Sequence, residues 1–418
     1  MMNRHPKRAV VRAIFLFAVG LLASSMTADA QNLRWGPFKM DLGFTTGFEF
    51  TDNVNSTEDN READVKLTIG PTLSGGITLP FRFYGGEKLT IQTSVSYSYK
   101  ISLTQENEET FSGPISVSGV IPIQLLNWRI TAADGFTFRN DPLESLVALT
   151  EEEAEQYSNI ATITATRNFG RVSLSLSGSR KDTFAPDVPD LEETQYVVSV
   201  TPAYFFRDNY SLFWRNSVGI VLPKSPGRQD SEGWSSEVGV SGQITPNLSG
   251  SISVGYAHTH LNEKKLGPGD GIFGGIFDQE ILPADNIDGI SSNVGVTYSN
   301  PLRPNTSYSI SVFHTPGVTA VLNDSNVQQV TGATLGIAHR LNPRITLSPV
   351  FTWTHAEDAG SGGSGEITDL FAFGIGLSRR FGTRIGGSIN YRFQTRFSNI
   401  EGSDYYVNRI SANLNFSF

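Results

Sequence analysis

The 418-residue chain contains no cysteine. It therefore has no disulfide staples and no thiolate metal centre. Beyond the first thirty residues it also lacks any apolar run of the ~20 residues that a membrane-spanning helix needs. Basic charge is in deficit, with a formal net charge of -9 at pH 7, so there is no electrostatic case for binding nucleic acid. Catalytic signatures are missing too. The sequence shows no nucleophile elbow, no phosphate-binding Walker loop and no paired-cysteine motif. Its serines are too numerous to single out a nucleophile, and His314, His339 and His355 have no partner visible in the sequence. His258 and His260 share a strand face and could clamp a metal, but nothing supplies the third and fourth ligands. No enzyme activity and no cofactor or metal is expected. The glycine-rich stretch Gly267–Gly275 has no strand–turn–helix context and reads as a surface loop.

Arg4, Lys7, Arg8 and Arg12 precede a short apolar stretch, Ala13 to Leu22, and Ala28-Asp29-Ala30 follows as an A-x-A cleavage site. This is the pattern of a secretory signal peptide. Residues 1–30 are thus expected to be removed, leaving a mature chain of residues 31–418 that begins at Gln31. The leader holds four cations and one anion, so the mature chain carries -12. No linker, low-complexity tract or change of composition divides it.

Period-two alternation dominates the mature chain. Leu89, Ile91, Val95, Tyr97, Tyr99 and Ile101 share one face, opposite Lys88, Thr90, Gln92, Ser94, Ser96, Ser98 and Lys100. Ile385, Ile389, Tyr391, Phe393 and Phe397 alternate with Arg384, Ser388, Asn390, Arg392, Gln394 and Arg396. Successive strand side chains point to opposite faces, so such alternation implies a different solvent on each. The segments are longer than ordinary globular strands, their polar face is rich in Ser, Thr, Asn and Gln, and aromatics gather toward their ends. Connections alternate between short turns and long loops. About eighteen antiparallel strands are predicted, with sixteen still open. An even count puts both ends of the sheet on one side. The fold class is all-β, a transmembrane up-and-down barrel.

The last ten residues are the most specific. Ile410, Ala412, Leu414, Phe416 and Phe418 face one way, with Arg409, Ser411, Asn413, Asn415 and Ser417 opposite. This resembles the C-terminal signature of the outer-membrane β-barrel proteins of Gram-negative bacteria. The resemblance implies that Leu414, Phe416 and Phe418 form a signal read by the barrel assembly machinery, and that the protein resides in the bacterial outer membrane among lipids and lipopolysaccharide. Thr51-Asp52-Asn53-Val54 is similar to the strand-end T-D-N-V/I motif of a β-barrel porin family found in exopolysaccharide-type gene neighbourhoods, and Phe206-Arg207-Asp208-Asn209-Tyr210 echoes it.

A barrel of this strand number encloses water, so a porin-type channel for passive diffusion of small hydrophilic solutes is the leading expectation. An exopolysaccharide export channel and a non-transport surface or adhesin-like barrel are the alternatives, and the oligomeric state is left open. Strand parity points Lys100, Arg215, Arg392, Arg396 and Arg409 inward as a basic wall, with Glu49 set to balance Arg409. The connection after residue 140 reads as a helix, with Asp141 as cap, Pro142 at the first turn and Glu144 completing a capping box. In order and charge it resembles the third external loop of porins, which implies that Glu144, Glu151, Glu152 and Glu153 constrict the pore facing that wall; a solvated surface helix over a bare basic lumen is the alternative. Acidic residues in other long connections, among them Glu58, Asp59, Asp64, Glu192 and Glu193, suit solvated loops held apart by charge repulsion, with divalent-cation bridging to lipopolysaccharide as the sharper alternative. Asp134 falls on the apolar parity, and a bulge around Ala132–Gly135 is expected to turn it inward.

Overall fold

The computed structural model describes residues 33–417 apart from 36–37, 54–55, 60, 83–87, 97, 103–108, 113–114, 126, 143–152, 187–191, 225–227, 266–280, 283, 301–304, 318–327 and 359–364. Residues 1–32 and Phe418 lie outside the described residues, and with them the leader and the final aromatic; so does the stretch Gly267–Gly275.

The alternating segments form eighteen strands. The first six are β1 (Phe38–Thr51), β2 (Asp64–Arg82), β3 (Lys88–Ser96 continued by Ser98–Ser102), β4 (Glu109–Ser112 continued by Ile115–Leu125), β5 (Trp128–Pro142) and β6 (Glu153–Phe169). Next come β7 (Val172–Phe184), β8 (Glu193–Arg207), β9 (Tyr210–Pro223), β10 (Ser231–Thr245), β11 (Leu248–Leu261) and β12 (Asp285–Ser299). The remainder are β13 (Thr306–Gly317), β14 (Gln328–Asn342), β15 (Ile345–Asp358), β16 (Ile367–Arg380), β17 (Ile385–Ser398) and β18 (Tyr405–Ser417). Each is antiparallel to its neighbours in sequence. Gly43 of β1 stands opposite Ser417 of β18, and Thr51 opposite Arg409, so the last strand pairs with the first and the sheet closes. Closure removes the free edges that an open sheet would expose. At ~4.8 Å between strands and ~40° of tilt, eighteen strands make a ring about 35 Å across, backbone to backbone. Among the described residues there is no helix.

One rim carries tight turns, at 125–128, 169–172, 207–210, 245–248 and 342–345. At the first position of its turn Gly170 has φ +65°, a left-handed conformation that glycine adopts without steric cost. The opposite rim carries the long connections, including 142–153, 223–231 and 261–285.

The outer face is apolar. Ile290 is 62% exposed, Ile163 60%, Val198 59%, Val254 58% and Ile252 57%. Leaving side chains of this size in water forfeits roughly 1.5–3 kcal/mol each, so the medium outside the barrel is not water. A hydrocarbon layer satisfies such a face, and ring closure satisfies the backbone inside it.

Two sequence expectations are corrected here. The connection after β5 does not open as a helix. Asp141 and Pro142 are strand residues that pair with Ala154 and Glu153. That antiparallel pairing takes up the backbone groups that a first helical turn would have left for capping. Glu153 is the first residue of β6, and Glu144, Glu151 and Glu152 lie outside the described residues. Nor does a bulge turn Asp134 inward. Gly119, Asp134 and Ala161 stand in unbroken register across β4, β5 and β6. Asp134 stays on the outer face, exposed, between Ala132 and Phe136. The sheet's register shifts fall instead near the short-turn rim, at Thr78/Arg82, Phe205/Arg207, Gln243/Thr245 and Arg340/Asn342.

Candidate functional site

The inner face is built by the residues that alternate with that apolar band. Serines meet across strands on it. Ser177 and Ser199 lie 2.7 Å apart, Ser211 and Ser241 2.9 Å, Ser217 and Ser235 2.6 Å, and Ser94 and Ser116 2.6 Å. Each pair is a direct cross-strand partnership, so the hydroxyls satisfy one another and still present lone pairs to water.

Charge is concentrated around the seam. Arg392 of β17 is exposed and stands directly opposite Arg409 of β18. Glu49 of β1 approaches Arg409, Oε1 to Nε, at 3.5 Å and stands opposite Lys66 of β2. Lys100 stands opposite Thr68 and Thr110. Register thus brings Glu49, Arg392 and Arg409 together, with Lys100 two strands beyond Glu49, and adds Lys66, which sequence reading overlooked. Its position on the polar parity of β2 was the available signal. Arg215 lies elsewhere, on β9, 3.7 Å from Glu237 of β10. Arg396 departs from the expectation of an open basic wall. It is 4% exposed and pairs with Glu366, which Ser398 Oγ also approaches at 2.6 Å. A buried, neutralised guanidinium contributes little field to a lumen.

A recess of about 490 Å³ opens on the inner face between β9 and β13. Phe213, Arg215, Glu237, Ser253, Asn293 and Phe313 line it. The sequence held the signal for this recess in the inward parity of Phe213 and Phe313, but the alternation of the surrounding strands masked it.

At the long-connection rim, part of the acidic complement turns out to be structural. Asp64 is fully buried and Glu193 is 3% exposed. Glu193 takes Arg228 from the 223–231 connection at 3.2 Å and Lys181 at 3.8 Å. These carboxylates are not free for divalent cations. The Thr-Asp-Asn motif is also accounted for. Asn408 of β18 donates from its backbone N–H to Asp52 Oδ1 at 2.6 Å and from Nδ2 to Asp52 Oδ2 at 2.7 Å. Asn53, 1% exposed, donates to the carbonyls of Thr57 at 2.8 Å and Tyr406 at 3.0 Å and accepts from the Thr57 N–H at 3.1 Å. The motif therefore latches the end of the first strand to the start of the last. At the other end of that seam, Phe416 packs beside Phe44 with ring centroids 6.4 Å apart, and Leu414 stands opposite Thr46 on the outer face.

His258, His260, His314 and His355 lie on the outer face near the long-connection rim, and His339 lies on the outer face near the short-turn rim. His258 Nδ1 is 2.6 Å from Asp288, beside Trp234, and His260 Nδ1 is 2.7 Å from Asn286. In the same way Asp369 takes both Trp353 Nε1 and His355 Nδ1 at 3.0 Å. These are amphipathic side chains at a membrane interface, and among the described residues no group of three or more potential metal ligands forms.

No protein-family model matches the sequence. Nor does any curated protein match it. Solved structures do resemble it in fold. The outer membrane protein OpdK of Pseudomonas aeruginosa aligns with a TM-score of 0.51 at 10% identity, over 91% of this chain and 99% of its own. OccAB2 of Acinetobacter baumannii gives 0.51 at 11% identity, over 91% and 98%. A BenF-like porin of Pseudomonas fluorescens Pf-5 gives 0.50 at 10% identity, over 91% and 99%. The chain thus shares its fold with these proteins.

Proposed function

We propose that the chain is exported, loses residues 1–30, and resides in the bacterial outer membrane as a porin-type channel for passive diffusion of small hydrophilic solutes. One observation carries this reading: a closed ring of eighteen strands whose inner face is lined by hydroxyl, amide and charged groups while its outer face is apolar. Such a ring is too wide for wall side chains alone to fill it. Its polar face needs water as its solvent, and a solute no larger than the remaining bore can share that water. The fold shared with porins supports the same reading.

The seam cations set the expected selectivity. Arg392 and Arg409 face each other with Glu49 offsetting one of them, which leaves a local excess of positive charge on the wall. Folded protein in planar bilayers should give discrete open-channel steps. Replacing Arg392→Ala together with Arg409→Ala should move the reversal potential in a salt gradient toward cation preference while the steps persist. A correctly folded barrel without any open conductance would overturn the channel reading.

A further inference from the structure

Register sets six residues in one cross-strand row on the inner wall. Phe213 stands opposite Gly239, Gly239 opposite Ser253, Ser253 opposite Asn293, Asn293 opposite Phe313, and Phe313 opposite Gly332. Two aromatic rings thus bracket a polar floor, four strand spacings or about 19 Å apart along the wall. Each ring reaches over the glycine of the next strand. A Cβ at Gly239 would sit 2.3 Å from Phe213 Cζ, and one at Gly332 would sit 2.5 Å from Phe313 Cε1 and Cζ. Only glycine leaves space for the rings in these positions on the inner wall. On a wall dominated by hydroxyls, amides and glycine, an apolar ring in contact with water is costly without an occupant.

Beside Phe213 is an ion pair on the inner wall whose arginine is open to the bore and whose glutamate is 19% exposed. Arg215 and Glu237 are direct cross-strand partners, 3.7 Å apart, with the Arg215 side chain 53% exposed. Ser291 Oγ donates to Glu237 at 3.1 Å, and the guanidinium carbon lies 5.5 Å from the Phe213 ring centre. The pair is neutral as a unit and offers donors and acceptors side by side. An anion would meet Glu237 and a cation Arg215, whereas a neutral molecule rich in hydroxyls satisfies both. A saturated ring with an apolar C–H face and an equatorial rim of hydroxyls suits a flat aromatic face on one side and a donor–acceptor pair on the other.

We propose that the recess between β9 and β13 is a saccharide subsite, with the pyranose rings of a neutral oligosaccharide stacking on Phe213 and Phe313 and their hydroxyls bonding to Arg215, Glu237 and Asn293. The spacing of the two rings favours a chain of sugar units over a single one. This deepens the channel reading, on which the role of the subsite in transit rests. It would slow saccharides in transit and enrich them near the wall relative to other solutes of equal size.

The test uses the full folded barrel and maltotriose as probe, in two formats: calorimetric binding in detergent and sugar-dependent current blockade in planar bilayers. Wild type should bind and be blocked. Phe213→Ala and Phe313→Ala should each weaken binding at least fivefold. Gly332→Ala should weaken it as well, since the three atoms nearest the added methyl all belong to the Phe313 ring and the ring must move from its place. Outward-facing Val198→Ala should leave binding unchanged. An open channel that maltotriose neither binds nor blocks overturns the subsite and leaves the channel reading intact. Sugar binding in a barrel that never conducts overturns the channel reading and keeps the subsite. Tighter binding of benzoate than of maltotriose, lost in the same Phe variants, overturns the saccharide assignment in favour of an aromatic anion.

Discussion

Asp134 sits on the outer wall between Ala132 and Phe136, where its neighbours across the strands are Gly119 and Ala161. A carboxylate facing hydrocarbon near mid-strand is a liability, and the unbroken register leaves it no route inward. Asp134→Val should therefore stabilise the folded barrel by up to about 2 kcal/mol, measured as a higher urea midpoint for loss of the folded form in lipid vesicles. An unchanged midpoint would mean that the carboxylate is already solvated or covered. At this scale the sequence was informative about direction and silent about partners. Strand parity alone placed Arg215, Arg392 and Arg409 on the polar face. It could not show that Arg396 is buried against Glu366, because Glu366 precedes β16 in a connection whose path no alternation encodes. The same holds for Glu193 and Arg228.

Among elements, strands were legible and their connections were not. A strand declares itself by a two-residue period over ten or more positions, and all eighteen strands lie where that period is present. The stretch after β5 shows the limit. Local propensity there offered a capping box, but Asp141 and Pro142 were already committed to pairing with Ala154 and Glu153, and tertiary pairing overrides a weak helical preference. The Thr-Asp-Asn element was recognisable as a motif, yet its role required the position of β18. Its latch suggests a clean experiment. Asn53 makes two side-chain donations to main-chain carbonyls from a position 1% exposed. Asn53→Ala leaves the carbonyls of Thr57 and Tyr406 without those donors and should cost about 1–3 kcal/mol, seen as a lower urea midpoint. Equal stability of variant and wild type would reduce the motif to a turn former.

For the whole molecule, closure followed from an even strand count and an amphipathic ending, and those were visible in the chain. The stagger that sets Phe213 level with Phe313 was not, because the level of a residue on a tilted ring depends on the sum of every intervening register. The seam has a further consequence in time. Thr45 Oγ1 donates to Asn415 Oδ1 at 3.0 Å across 370 positions of sequence. Joining such distant segments of a flexible chain costs roughly 5 kcal/mol more in closure entropy than joining adjacent ones, whereas each hairpin of the ring forms locally. Formation of the intervening hairpins shortens the effective loop, so the seam is the step that becomes affordable only after the others. The first and last strands should then be the final pair to zip and the first to part. A chain without cysteine makes that order directly observable. Thr45→Cys with Asn415→Cys should oxidise to an intramolecular link late in refolding, after far-UV dichroism has reached most of its final amplitude; linkage preceding strand formation would contradict the order. Until that moment the nascent sheet has two bare edges, and its lifetime in that state sets how long it must be protected from pairing with another chain.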